Sequence, residues 1–98
     1  EPSTRRQISA ISPAQEKGVA VSNDIKLSKI YAFVVSEGEE GSLVMIDISD
    51  PKNPFIKEAI YSDDSKPFLR GAHHLEIIGN YIYITGLQNG VGIVKFTE

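Results

Sequence analysis

Two copies of one hydrophobic pattern limit what this chain of 98 residues can fold into. Residues 30–35 resemble residues 80–85, and the tyrosine near the start of the match is present both times, as Tyr31 and Tyr81. Residues 41–49 and residues 89–97 show a second match at a similar offset, about 50 positions. A pattern that recurs at this period indicates two similar structural units that stack on each other.

The units consist of short apolar runs rich in Ile, Val, Tyr and Phe, separated by Gly, Asn, Asp, Pro and Ser. This alternation is typical of β-strands joined by turns. Gly79 and Asn80 together predict a two-residue hairpin turn. No window shows a helical stripe, and residues 13–17 allow one helical turn at most. We therefore predict an all-β fold with eight strands, at residues 7–11, 18–21, 29–35, 42–48, 55–61, 74–78, 81–85 and 91–96.

A four-stranded unit that repeats every 40–50 residues or so is typical of a β-propeller, because one twisted sheet cannot bury both of its faces alone. Residues 1–98 are therefore predicted to contain about two four-stranded antiparallel sheets, or blades, of a larger or oligomeric propeller. Residues 17–61 form the first blade, with Val19 on its innermost strand. Residues 72–98 form the second, which lacks its outer strand. Residues 6–11 have the place of an outer strand for another blade, and the remaining blades come from a longer chain or from identical copies.

Residues 43–54 resemble the hallmark of the LVIVD-repeat propeller family, which has an apolar run, Asp, an apolar residue, Ser-Asp-Pro, two variable residues and Pro. The second copy keeps Tyr81 and Gly90 but has Lys95 where the hallmark has Asp. The resemblance covers about residues 17–98. Because LVIVD proteins are mostly cell-surface or secreted, it implies an extracellular or cell-surface location, and it implies architecture more directly than activity.

Two aspartates of the hallmark are interpreted as structural. Asp50 lies in the turn that contains Pro51, where a carboxylate can bond to nearby backbone N–H groups. Asp47 closes the preceding strand and is expected to tie neighbouring strands together. The acidic glycine loop at residues 37–41 could hold Ca²⁺ through carboxylates and carbonyls, but it lacks the alternating spacing of a calcium loop, so a solvated hairpin end is favoured.

His73 and His74 are the only histidines of the chain, and they adjoin the predicted inner strand. His74 and Glu76 are two residues apart and therefore share one strand face. Inner strands line the channel of a propeller, where imidazole and carboxylate together could bind a divalent metal. One hypothesis therefore places a metal at His73, His74 and Glu76. The alternative is a polar channel lining or a hydrogen-bonded histidine, since a metal site needs three or four ligands with supporting hydrogen bonds.

Composition narrows the classes of function. The formal net charge of −3 does not favour nucleic acid, which attracts basic surfaces. Cysteine is absent, which excludes disulfides and thiolate zinc sites, and no apolar run approaches the 20 or so residues of a membrane-spanning helix. The favoured function is a non-catalytic propeller segment that acts as a scaffold or binding module of a surface or secreted protein. The alternative is part of a metal-dependent propeller enzyme; the sequence does not decide whether the protein is an enzyme.

Overall fold

The computed structural model describes residues 8–12, 15–19, 22–37, 41–86 and 90–97, and these ranges contain seven strands in two antiparallel sheets. The strands of the first sheet lie side by side in chain order: β1 (Ser22–Ser28), β2 (Tyr31–Ser36), β3 (Ser42–Asp47) and β4 (Phe55–Tyr61). The strands of the second sheet do the same: β5 (Ala72–Ile78), β6 (Tyr81–Gly86) and β7 (Val91–Lys95). The predicted all-β fold of propeller-type blades is confirmed, with four strands in one sheet and three in the other.

The two sheets repeat each other in detail. β1 and β5 each have seven residues, and β2 and β6 each have six. Both inner strands carry a bulge near the start, where the register shifts between Ser22 and Asp24 and between Ala72 and His74. A short 3₁₀ turn precedes each inner strand, at Lys17–Val19 and at Pro67–Leu69. The repeat therefore includes the connection that leads into each sheet.

The predicted hairpin turn at Gly79 and Asn80 joins β5 to β6. Gly79 has a φ of 59°, which its lack of a side chain permits without strain. The equivalent turn of the first sheet places Lys29 at a φ of 57°, a backbone conformation that is uncommon for a residue with a Cβ. The backbone geometry of the turn is thus the same in both sheets although the residue differs.

The two middle strands of the first sheet, β2 and β3, are buried on both faces. One face packs against the second sheet and includes Phe33, Leu43 and Met45. The other face includes Val34, Val44 and Ile46 and packs against partly buried side chains that include Ile11 and Val19. The alternation predicted for β3, with residues 44 and 46 on one face and residues 43 and 45 on the other, is confirmed. A strand buried on both faces reads as a continuous apolar run, which explains the sequence Leu-Val-Met-Ile.

In each repeat, a residue of the 3₁₀ turn packs against a residue of the third strand, and one of the two is a glycine. A Cβ added to Gly18 would lie 2.6 Å from a methyl carbon of Val44, so the glycine lets the 3₁₀ turn sit directly on β3. A Cβ added to Gly92 would lie 2.0 Å from the ring of Phe68, so here the glycine is on the strand and the large side chain is on the turn. The middle residue of each 3₁₀ turn thus contacts the third strand of the sheet that follows it. In the first repeat the turn has the small residue, and in the second repeat the strand has it.

The structure corrects the position of the first inner strand. Residues 18–21 were predicted to form it, but Val19 lies in the 3₁₀ turn, residues 20 and 21 lie outside the described ranges, and the strand is Ser22–Ser28. Asn23 and Asp24 make this strand look like a loop, because both residue types are depleted in strands. They are tolerated because each is hydrogen-bonded at the bulge.

Residues 8–11 of the predicted strand at 7–11 are not in a strand in this structure. Ser9 instead donates a hydrogen bond to the carbonyl of Pro51, and Ile11 packs on the face of the first sheet that is turned away from the second. Residues 6, 7, 13 and 14, which also carried predictions, lie outside the described ranges. Among the helices of the described residues, none has the length and apolar character needed to cross a lipid bilayer.

Candidate functional site

The inner strands β1 and β5 meet through the bulges at their start. The side-chain amide of Asn23 donates a hydrogen bond of 2.9 Å to the carbonyl of Ala72. One carboxylate oxygen of Asp24 accepts the N–H of Leu75 at 3.1 Å, and the other accepts the N–H of Ile25 at 2.9 Å. A bulge frees backbone groups from the ladder within the sheet, and these side chains use them to join the two sheets.

The pKa of Asp24 lies below the ordinary value of an aspartate. Partial burial acts in the opposite direction and would raise this pKa, but hydrogen bonds from the N–H groups of Leu75 and Ile25, together with the charges of Lys26 and His74, outweigh it. Asp24 therefore remains ionised over the physiological pH range and places a fixed negative charge between the inner strands.

Two contacts between charged or ionisable side chains also join the inner strands near the bulges. The ammonium of Lys26 lies 3.7 Å from a carboxylate oxygen of Glu76. Nδ1 of His74 lies 3.7 Å from a carboxylate oxygen of Asp24. Each contact joins a residue of β1 to a residue of β5, so polar pairs link the inner strands, while apolar side chains pack between the middle strands of the two sheets.

The three residues of the hypothetical metal site lie in β5, and the structure separates them by environment. His74 and Glu76 point to the same face, as predicted, and their side chains are 68% and 74% exposed. His73 is the extra residue of the bulge; its Nδ1 is buried and has no hydrogen-bond partner among the described residues. The ring of His73 stands edge-on to the ring of His74, and the two ring centroids are 4.6 Å apart.

Within the described ranges, no three His, Asp or Glu side chains come together as a metal-binding group. Asp24 is the additional carboxylate near His74, but it is already occupied by two backbone N–H groups and by the histidine. The divalent metal at His73, His74 and Glu76 stays a prediction.

The hallmark aspartates organise the chain between β3 and β4. Asp50 accepts hydrogen bonds from the N–H of Lys52 and from the side chain of Asn53, as expected for a turn residue. Among the described residues, the side chain of Asp47 bonds locally and not to a neighbouring strand as predicted: it accepts both the hydroxyl and the N–H of Ser49, at 2.6 and 2.9 Å. Those bonds hold the pKa of Asp47 below its ordinary value and fix the bend that ends β3.

The acidic glycine loop carried the prediction of a hairpin end. Residues 38–40 lie outside the described ranges, while Glu37 and Gly41 flank them between β2 and β3. Gly41 has a φ of 76°, and a Cβ there would lie 1.9 Å from the carbonyl oxygen of Leu69. The end of this loop therefore fits tightly against the connection that leads into the second sheet.

No other described strand covers one side of the second sheet, which we call the free face. It is the side turned away from the first sheet, and strand pairing places equivalent residues of β5, β6 and β7 side by side on it. Tyr81, Val91 and Ile93 are 44%, 65% and 58% exposed. The members of the free face are His74, Glu76, Ile78, Tyr81, Tyr83, Thr85, Val91, Ile93 and Lys95. The free face therefore exposes large apolar side chains next to polar ones.

One edge of the second sheet is also open. β7 pairs with β6 on one side, and no strand of the described residues pairs with it on the other. A cleft of about 70 Å³ lies beside this edge, between Met45 and Ile60 of the first sheet and Val94 and Phe96 of the second. An unpaired strand edge next to an apolar cleft is a place where another strand can add to the sheet.

The LVIVD-repeat family model matches residues 20–63 and 69–94, more than half of the chain, and the two matches correspond to the two sheets. The chain belongs to the LVIVD-repeat family. Neither the curated proteins nor the solved structures contain a significant match to it. This LVIVD-repeat protein therefore has propeller-type blades.

Sequence reasoning missed Asn23 and Asp24, which join the inner strands. A signal was present: Ile25, Lys26 and Leu27 alternate apolar and polar as a half-buried strand does. Aligning the two tyrosine strands places Asn23 and Asp24 opposite His73 and His74, about 50 positions later.

Proposed function

We propose that this LVIVD-repeat chain is a non-catalytic β-propeller segment that serves as a scaffold or binding module of a cell-surface or secreted protein. Its immediate partners are further blades of the same architecture, one on the free face of the second sheet and one beyond the first sheet. The family resemblance supports the surface or secreted location. The exposed apolar residues of the free face carry the proposal.

Each blade needs a neighbour because a sheet that is apolar on both faces must cover both. The first sheet supports this, since β2 and β3 are buried along their whole length, between the second sheet on one face and side chains that include Ile11 and Val19 on the other. In the second sheet β6 alternates between buried and exposed residues, because only one of its faces is covered. A further blade on the free face would give β6 the burial that β2 already has.

Sedimentation of the 98-residue chain tests the proposal, with Ile93→Lys as the free-face variant. Asp64→Asn is the matched control, because it makes the same change in net charge at an exposed loop residue between the sheets. We expect the unmodified chain and the control to sediment above the monomer mass of 10.8 kDa. The free-face variant should shift towards the monomer while keeping its β circular dichroism. A folded, monodisperse monomer of the unmodified chain would contradict the proposal.

Metal analysis of protein purified without an affinity tag tests the alternative function. A stoichiometric transition metal that is lost in His74→Ala would support a metal-dependent propeller enzyme. Asn80→Ala serves as the control, since it also truncates an exposed polar side chain of the second sheet. Absence of bound metal at neutral pH would support the scaffold or binding module.

A further inference from the structure

The polar contacts between the inner strands have a direction. The β1 side supplies Asp24 and Lys26, and the β5 side supplies His74 and Glu76. Strand register makes these pairs equivalent in the repeat: Asp24 corresponds to His74, and Lys26 to Glu76. Equivalent positions thus carry opposite charge in the two sheets, except that His74 is positive only when protonated.

His74 and Glu76 also belong to the free face, so a further blade would approach them from the other side. A sheet placed on the free face as the second sheet is placed on the first would bring its own inner strand beside them. If that sheet is the first sheet of a second copy, Lys26 of the copy meets Glu76 and Asp24 of the copy meets His74.

We propose that the free face of one chain binds the first sheet of a second copy, head to tail, with Lys26 beside Glu76 and Asp24 beside His74. This inference rests on the proposed function, and it names the neighbouring blade. The resulting inner row alternates positive and negative side chains along successive sheets. The opposite arrangement is disfavoured: two second sheets meeting in the same way would place Glu76 beside Glu76, and like charges at an interface weaken binding.

The apolar residues of the first sheet fit the same arrangement. Ile25 and Leu27 are 57% and 66% exposed on the side turned away from the second sheet. In the repeat they correspond to Leu75 and Ile77, which pack in the core between the two sheets. On the free face of a second copy, Ile25 and Leu27 would be covered as their equivalents already are.

The open edge of β7 has a donor in the same copy. Residues 8–11 precede the first 3₁₀ turn at the distance at which residues 58–61 precede the second, and residues 58–61 belong to β4. In the head-to-tail arrangement, residues 8–11 of the second copy therefore come beside β7 and can add the fourth strand to the second sheet. The buried Nδ1 of His73, which takes the place of Asn23, would face the carbonyl of Ser22 as Asn23 faces that of Ala72.

A charge exchange tests the inference while preserving the contact within each chain. The double variant Lys26→Glu/Glu76→Lys keeps an opposite pair between its own sheets and between its own copies. Mixed with unmodified chain, however, it places Glu beside Glu or Lys beside Lys at each mixed contact. Lys52→Glu, at an exposed turn residue, is the control for Lys26→Glu, because it makes the same change in net charge at another position. Native mass spectrometry of mixtures with ¹⁵N-labelled unmodified chain measures the proportions of mixed and unmixed assemblies.

We expect the double variant to associate with itself as the unmodified chain does and to be depleted about tenfold in mixed assemblies at low ionic strength, where exposed charges are least screened. Glu76→Lys alone and Lys26→Glu alone should associate weakly, and their equimolar mixture should recover association. The control should mix freely with the unmodified chain.

Two results would overturn the inference, and they differ in what else they overturn. Random mixing of the double variant with the unmodified chain, in assemblies that do form, would show that the copies meet through another surface; the proposed function would stand. A folded unmodified chain that stays monomeric would overturn both the head-to-tail contact and the need for a neighbouring blade.

Discussion

The first two strands of each sheet match in length, and the two sheets share the inner bulge and the turn geometry, yet their burial differs. Every residue of β2 is buried, whereas β6 alternates between buried and exposed. The difference comes from their neighbours: the first sheet is covered by the second on one face and by residues of the 8–19 region on the other. Burial in a repeat protein is thus a property of the stack and not of the single strand.

The coverage also explains the composition of the two sheets. Phe33 and Tyr83 occupy equivalent positions, and the buried one has no polar atom while the one on the free face carries a hydroxyl. Asp47 and Lys95 likewise occupy equivalent positions. The carboxylate of Asp47 accepts hydrogen bonds from Ser49, whereas the ammonium group of a lysine can only donate them. The second sheet keeps the backbone of the repeat and changes the side chains where its surroundings differ.

The largest expected difference between the sheets concerns these aromatic residues. Phe33 is 1% exposed, so Phe33→Ala should lower the free energy of unfolding by about 3–5 kcal/mol, as for other buried aromatic side chains. Tyr83→Ala should cost less than half as much, because one side of its ring has no covering sheet. Urea denaturation at low protein concentration measures both, and equal losses would show that Tyr83 is packed like Phe33.

An intermediate effect is expected at the exchanged glycine. Gly92→Val makes the second sheet resemble Val44 of the first, but the new Cβ meets the ring of Phe68, and overpacking of this kind costs about 1–3 kcal/mol. Combining it with Phe68→Ala should recover part of the loss, with a coupling on the order of 0.5–3 kcal/mol. Thr85→Val, at an exposed position of the same sheet, controls for the presence of an additional valine. Additive losses in the double variant would contradict the proposed contact.

The smallest effect concerns acid. The pKa values of Asp24, Asp47, Asp50 and Asp63 all lie below the ordinary 3.8 of an unfolded chain, chiefly because hydrogen bonds favour their charged forms. A carboxyl whose pKa is lowered by folding stabilises the fold fully when the pH is above its unfolded pKa. This stabilisation is lost as the pH falls through the folded pKa.

Residues 72–95 contain no aspartate, so we expect amide protection to fall first in the first sheet and its turns when the pH is lowered below about 3.8. Amide hydrogen exchange followed by NMR at pH 6 and pH 3 measures this, and Asp50→Asn should reduce the acid dependence. Equal loss of protection in both sheets would contradict a role for these carboxylates.

Much of the fold followed from local patterns. The residues of β3 and β4, the hairpin at Gly79 and the faces of β3 were predictable because alternation and turn chemistry act between residues close in sequence. The hallmark turn at Asp50 followed for the same reason, since its hydrogen bonds reach only two and three residues along the chain.

The candidate site was less predictable. His74 and Glu76 were placed on one face correctly, because strand alternation fixes it. Their β1 partners, Asp24 and Lys26, were missed, because β1 begins with polar residues that are uncommon in strands and was not predicted. Such contacts depend on residues about 50 positions apart, and only the stacked sheets bring those residues together.

The sequence by itself determined the repeat, the strand character of each unit and the family, because each depends on residue spacing within a unit. The tertiary structure alone decided which faces are covered, that Ser22–Ser28 is the inner strand, and that Gly18 and Phe68 fill equivalent places with opposite sizes. The physical reason is that backbone bonding is satisfied within a sheet, whereas side-chain burial and charge pairing are satisfied only between sheets.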